Sequence, residues 1–238
     1  MQLERYNDPF EYYIIDDFLE DSYAHKLSNE FIDFESKDWY VYENPLEVKK
    51  ALNSWYHFPK DTYEFLHYLN SPVFVDSLCN ITGNNLLFPD MGLHGGGWHI
   101  HGSGGKLNIH LDYSMHPKLN LQRKYNLILY LSPEWKKEWG GNLEFWSHDK
   151  KTKSPKEKVA TIECKFNRAV IFDASQNSWH GFNDPITCPE GHYRKSIAVY
   201  YLTVPGTKVE NRKRALYSPT QEQKSNTEIM KLIESRAK

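Results

Sequence analysis

The chain has 238 residues, 15% of them aromatic, and a formal net charge of −2, which gives no electrostatic footing for nucleic acid or an anionic membrane. Its three cysteines, Cys79, Cys164 and Cys188, are widely spaced and odd in number, which points to reduced thiols and excludes a disulfide scaffold. No apolar run approaches a membrane span and the first residues lack a signal-peptide core, so a cytoplasmic protein free of membrane is expected.

Residues 12–18 (YYIIDDF) read as a first strand, and Asp21-Ser22 caps a helix to about Phe34 with Tyr23, Leu27, Phe31 and Phe34 on one stripe. A short strand is expected at 39–42. Pro59 and Asp61 open a second helix over 62–69, and Ser71-Pro72 starts a third that closes at Gly83. Residues 1–85 therefore read as strand and helix support packed on a core, without a site of their own.

From residue 86 glycines cluster and short apolar runs alternate with turns. Strands are expected near 98–101, 107–111, 125–131, 143–146, 159–163, 169–172, 179–182 and 193–204, the pattern of an antiparallel sandwich or barrel. Several are apolar on both faces, as where helices cover the outside. Residues 86–205 thus form the core of a mainly β fold with supporting α-helices. Residues 147–158 (SHDKKTKSPKEK) read as a solvated lysine-rich connection. Ser218-Pro219 caps a last helix toward Ser235, so residues 206–238 read as a polar, loosely docked helical tail.

Within the core, residues 104–112 (GGKLNIHLD) form a glycine turn feeding a strand that ends in His110-Leu111-Asp112. Residues two apart on a strand share a face, so an imidazole and a carboxylate come within reach of one metal ion. Alone the pair is weak: 11 His and 13 Asp in 238 residues give roughly 0.6 such pairs by chance. A two-histidine, one-carboxylate set needs a later histidine, and His180 in SWHGF sits beyond the apolar strand at 169–172. His99 and His101 lie near the site with no role assigned between them. His25, His57, His67 and His148 read as ordinary residues.

In the last strand Arg194, Ser196, Ala198 and Tyr200 alternate onto one face. An arginine in an apolar strand is costly unless its charge is matched, either by an incoming carboxylate bound bidentately or by an internal salt bridge. The alternative is a surface Arg194 with Lys195 pointing inward in its place as runner-up.

The ordered set H-x-D, distal His and R-x-S resembles the Fe(II)/2-oxoglutarate-dependent dioxygenases, most of all their prolyl 4-hydroxylase-like branch. The resemblance covers roughly residues 98–204. It extends to YNLILYLS (125–132), Trp135 and Gly140-Gly141-Asn142-Leu143. It implies a double-stranded β-helix (jelly-roll) core. It also implies Fe(II) on His110, Asp112 and His180, and 2-oxoglutarate held at its far carboxylate by Arg194, Ser196 and Tyr130. Asn126, Ile128, Leu143 and Tyr200 are expected to line the same pocket, O2 to be cosubstrate, and ascorbate a candidate reductant. The implied reaction hydroxylates an aliphatic C–H, of a prolyl or other peptidyl residue, with succinate and CO2 as co-products. A hydroxylase of a small metabolite or sugar, and a non-catalytic jelly-roll binding module, are the alternatives. Residues 113–124, with Lys118, Arg123 and Lys124, lie where such enzymes carry a mobile loop beside the site, and their basic end reads as solvated.

Overall fold

The computed structural model describes residues 2–175 and 177–237. In chain order, β1 (Gln2–Tyr6) and β2 (Tyr12–Asp16) form a hairpin, followed by α1 (Asp21–Asn29). A second hairpin joins β3 (Tyr40–Asn44) to β4 (Glu47–Leu52), and α2 (Lys60–Leu69) and α3 (Pro72–Thr82) complete the first third. Then come β5 (Phe88–Pro89), β6 (Gly97–His101), β7 (Lys106–Leu111), β8 (Gln122–Tyr130), β9 (Leu143–Asp149), β10 (Ser154–Ile162), β11 (Ala169–Asp173), β12 (Trp179–Phe182) and β13 (Arg194–Thr203). β14 (Leu216–Tyr217) and α4 (Thr227–Ala237) end the chain.

The strands form one curled antiparallel sheet in the order β1-β2-β11-β8-β13-β6-β4-β7-β12-β9-β10, with β3 beside β4, β5 beside β13 and β14 beside β7. This is a mainly β, jelly-roll architecture with supporting helices. Two-residue alternation on its central strands sets its layers. Leu127 and Leu129 of β8 and Ile197, Val199 and Tyr201 of β13 pack outward with Leu27, Phe65, Leu66, Leu69 and Leu78 of the helices. The intervening Asn126 and Ile128 of β8, and Arg194, Ser196, Ala198 and Tyr200 of β13, line an interior cavity of about 640 Å³. Tyr130, Phe145, Val170 and Phe172 seal one end of that interior. Burying an aliphatic or aromatic side chain is worth about 1.5–3 kcal/mol. The helical layer therefore keeps the sheet curved around the cavity.

The third helix follows its sequence signals. Ser71 Oγ accepts a hydrogen bond from the Phe74 N–H, and Gly83 takes the left-handed conformation that ends the helix. The first helix stops at Asn29, short of Phe34. Phe31 and Phe34 still bury, the first stacked on Trp98 and the second on Tyr193, as irregular chain. The apolar stripe reported burial there, and burial did not require helix. The lysine-rich segment 147–158 is mostly strand: β9 and β10 run through it, leaving a short turn between them.

Both ends of the chain are woven into the sheet. β2 pairs with β11, and β4 bridges β6 and β7. In the sequence β4 has no strand signal of its own, because Lys49 and Lys50 interrupt its pattern. The Lys50 ammonium lies over the Phe34 ring, 3.8 Å from its centre, and donates to the Phe34 carbonyl at 2.6 Å. The C-terminal segment is docked rather than loose. Tyr217 pairs with His110, Gln223 bridges Asn108 and the Pro45 carbonyl, and Arg236 meets Glu47 at 2.6 Å. Its helix begins at Thr227, later than the Ser218-Pro219 signal. Among the described residues no helix is long and apolar enough to cross a membrane.

Candidate active site

β7 and β12 pair so that His110 stands opposite His180, and Asp112 follows directly after the end of β7. Gly181 makes this approach possible: at φ +149° a side chain there would run into the Leu107 and Asn108 carbonyl oxygens at 2.7 Å. His110 Nε2 lies 3.4 Å from Asp112 Oδ1, and His180 Nε2 lies 3.5 Å from Asp112 Oδ2. Donor atoms of the three residues all fall within 4.8 Å of one another.

The rest of each imidazole decides its protonation. His110 Nδ1 lies 2.9 Å from the Asn108 carbonyl and His180 Nδ1 lies 2.8 Å from the Ser178 carbonyl. A carbonyl only accepts, so each Nδ1 carries a proton, and each ring turns its Nε2 toward Asp112. Burial pulls the His180 pKa down to about 4, which keeps that ring neutral. Burial would raise the Asp112 pKa. The Arg123 guanidinium beside it outweighs this, and the carboxyl is held well below the usual range. Two imidazole nitrogens and a carboxylate converge here on one point, where a cation would satisfy all three. The donor set fits a divalent metal such as Fe(II).

Arg123 was absent from the sequence-derived site, where it read as part of a solvated loop. It is buried on β8. Its Nε donates to Asn126 Oδ1 at 2.7 Å, and its Nη2 lies 3.3 Å from Asp112 Oδ2. Asn126 Nδ2 donates to the same oxygen at 2.7 Å. The Asn126 amide is therefore committed to the carboxylate. Strict alternation from Asn126 would send Lys124 inward. Instead the pairing steps from Tyr201↔Tyr125 to Leu202↔Arg123, a bulge at Lys124 that turns Arg123 into the cavity. Lys124 points out to Asp173 at 2.6 Å. The loop beside the site is thus shorter than 113–124, and its His116 is buried beside Asp90.

At the other end of the cavity Arg194 is buried, with its guanidinium about 5 Å from the Tyr130 and Phe182 ring centres. Its Nε donates to the Gly141 carbonyl at 2.8 Å, and it pairs with no carboxylate among the described residues. The internal salt bridge allowed by the sequence is absent there. Gly141 is required: its φ is +71°, and a Cβ would stand 2.8 Å from Arg194 Cδ. Ser196 pairs with both Tyr130 and His99, and His101 pairs with Arg194. The Tyr130 hydroxyl and both ring nitrogens of His101 are buried without a partner among the described residues. Burial drives the His99 pKa to about 3 and that of His101 well below its ordinary value. An unmatched guanidinium among unsatisfied polar atoms fits an incoming carboxylate. Lys195 turns to the opposite face, where its ammonium donates to the Ser28 carbonyl.

Leu143 and Ile128 line the cavity, and Tyr200 does so with its hydroxyl on the Gly95 carbonyl and its ring 3.3 Å from the Arg123 guanidinium carbon. The wall also includes Tyr40, Tyr42, Glu47 and Lys49 from the β3–β4 hairpin and Tyr217 and Arg236 from the C-terminal segment. Residues read as mere support therefore form part of the site.

Residues 96–202 match the 2OG-Fe(II) oxygenase superfamily. The match covers a little under half of the chain. Members of that superfamily are oxygenases that use Fe(II), 2-oxoglutarate and O2. A segment of 97 residues is 30% identical to prolyl 3-hydroxylase OGFOD1 of Xenopus laevis, covering 41% of this chain but only 18% of that relative's length. In fold the chain is similar to a Trichoplax adhaerens prolyl hydroxylase solved with a hypoxia inducible factor peptide fragment. That pair has a TM-score of 0.55 at 18% identity, over 80% of this chain and 83% of the other. It is also similar to a Pseudomonas putida prolyl-4-hydroxylase, with a TM-score of 0.55 at 16% identity, over 81% and 92% of the two chains.

Proposed function

We propose that this oxygenase hydroxylates a peptidyl residue, proline first among them, with His110, Asp112 and His180 holding Fe(II). Arg194, Ser196 and Tyr130 bind the far carboxylate of 2-oxoglutarate in this reading. The observation that carries it is the pairing, in one cavity, of two converging imidazoles and an ionised carboxylate with a buried arginine that meets no carboxylate among the described residues. When bound, Fe(II) and 2-oxoglutarate supply an oxidative decarboxylation that leaves succinate and CO2 and delivers one oxygen atom of O2 to a C–H bond.

The chain's own residues position and exclude. The Asn108 and Ser178 carbonyls hold the two imidazoles in one tautomer. Asn126 and Arg123 hold Asp112 ionised and oriented. Arg194 offers the cosubstrate a fixed guanidinium, and Ile128 and Leu143 give its methylenes an apolar wall. The buried site excludes water that would compete for the same donors. The family match and the prolyl-hydroxylase fold neighbours support the peptidyl target.

The test is succinate release from 2-oxoglutarate with Fe(II), O2 and a panel of proline-containing peptides, with mass spectrometry for a gain of one oxygen. His110→Ala should abolish succinate formation. Metal-independent turnover, or succinate from the variant at the wild-type rate, would end this reading.

A further inference from the structure

The cavity opens on a rim unlike the rest of the molecule in charge. The chain as a whole carries −2, yet six of the charged side chains lining the cavity are cationic and two are anionic. Most of these are accounted for. Arg123 faces Asp112, Arg194 stands at the carboxylate end, and Lys49 and Arg236 share Glu47 at 3.3 and 2.6 Å. Lys213 and Arg214 remain. Both are exposed, both line the cavity, and neither has a carboxylate partner among the described residues.

Their position is built rather than incidental. Arg212, next in the chain, is turned inward. Its Nε donates to the Asp112 carbonyl at 3.0 Å, and its N–H donates to Ser114 Oγ at 2.8 Å. The Ser114 N–H donates in turn to the Arg212 carbonyl at 2.7 Å. The segment is thus tied to the backbone just after the metal-ligand candidates, and the two following cations are carried to the rim. Across the opening, β3 is exposed along its length, with Tyr40 at 62% and Tyr42 at 38% of full exposure, and both line the cavity. Large aromatic rings held in water beside a cationic rim make a surface for an extended chain with apolar and anionic side chains.

We propose that the substrate is an acidic peptide segment. Its target residue enters between the β3–β4 hairpin and residues 212–217, and Asp or Glu side chains flanking that residue meet Lys213 and Arg214. This rests on the peptidyl-hydroxylase reading and adds the sign of the substrate's charge. Lys118 of the loop at 113–121 does not line the cavity, and Arg123 and Lys124 at the start of β8 are both paired, so they do not supply this rim.

Short fluorescein-labelled peptides with one central proline, flanked by Glu, Gln or Lys, test the inference. Binding is read by anisotropy on protein loaded with Mn(II) and N-oxalylglycine. The Glu peptide should bind about tenfold tighter than the Lys peptide, with Gln between, and the gap should shrink as salt is raised. The double variant Lys213→Glu, Arg214→Glu should reverse the order of Glu and Lys. Equal binding of the three, binding of none, or a double variant with the wild-type order overturns the proposal. A separate thermal-shift measurement on wild type, with Mn(II) and N-oxalylglycine but no peptide, reports on the metal and cosubstrate site. A shift there with no charge preference among peptides rejects the acidic substrate alone. No shift rejects the underlying site.

Discussion

Arg123 and Asp112 face each other in the buried interior, with Nη2 3.3 Å from Oδ2, and Asn126 donates to the same oxygen. A carboxylate held this way keeps its charge and its orientation without a metal. Arg123→Leu removes the counter-charge and leaves a buried anion with one hydrogen bond. The variant should bind a divalent metal more weakly by about 10–100-fold. Titration of the chelator-stripped protein with Mn(II), followed by calorimetry, measures this. Unchanged affinity would show that Asn126 alone suffices.

Arg194 predicts a different signature. It lies at the far end of the cavity from the triad, so Arg194→Leu should leave metal binding intact while stranding the cosubstrate's carboxylate. Breaking a buried ion pair costs about 3–5 kcal/mol, which raises the KM for 2-oxoglutarate by about two to four orders of magnitude. Lys195→Met, on the other face, should leave that KM within about twofold, because its ammonium serves the Ser28 carbonyl. A KM set by Lys195 instead would reverse the assignment of the two neighbours.

The contrast between Arg194 and Arg123 shows how far sequence alone could be read. Arg194 sits in an unbroken strand, so period-2 alternation placed it, Ser196 and Tyr200 on the cavity face. Arg123 sits beyond a bulge, and one extra residue reverses the face of everything before it. No local signal in QRKYN marks that bulge. The jelly-roll core was legible because its strands are apolar and separated by glycine turns. The roles of β4 and of residues 206–217 were not, because both are polar. Their burial comes from contacts across the fold, such as Arg236 on Glu47 and Tyr217 stacked on His110. Periodicity reports what a segment hides from water, and these segments hide little of their own.

Gly141 offers a test of the cosubstrate pocket that touches no charged group. Its φ of +71° is strained for any residue with a Cβ, and that atom would press on Arg194 Cδ at 2.8 Å and on Ile186 at 3.0 Å. Gly141→Ala should destabilise the fold by about 1–3 kcal/mol. It should also raise the 2-oxoglutarate KM, since Arg194 Nε is held by the Gly141 carbonyl. Gly191→Ala, also at positive φ (+82°) but with nothing within 4 Å of a Cβ, should show the stability loss alone. Thermal melts beside 2-oxoglutarate saturation curves separate the two effects.

Acid stability should depend on Asp16. Arg168 grips it through two bonds, Nε to Oδ1 at 2.6 Å and Nη2 to Oδ2 at 2.9 Å, and Lys165 adds a third at 2.9 Å. The hydrogen bond from Arg168 is the largest influence, and the carboxyl pKa falls from 3.8 to about 2. A pKa lowered by folding stabilises the native state above the unfolded value and loses that contribution as pH drops through the folded value. The contribution is therefore complete above about pH 4 and disappears between about pH 4 and pH 2. With the side chain partly solvated it amounts to about 1–2 kcal/mol. Asp16→Asn should lower stability by that amount at pH 7 and by almost nothing at pH 2. Urea unfolding of both proteins across that range measures the difference, and a gap that persists unchanged at pH 2 would mean the loss comes from packing rather than charge.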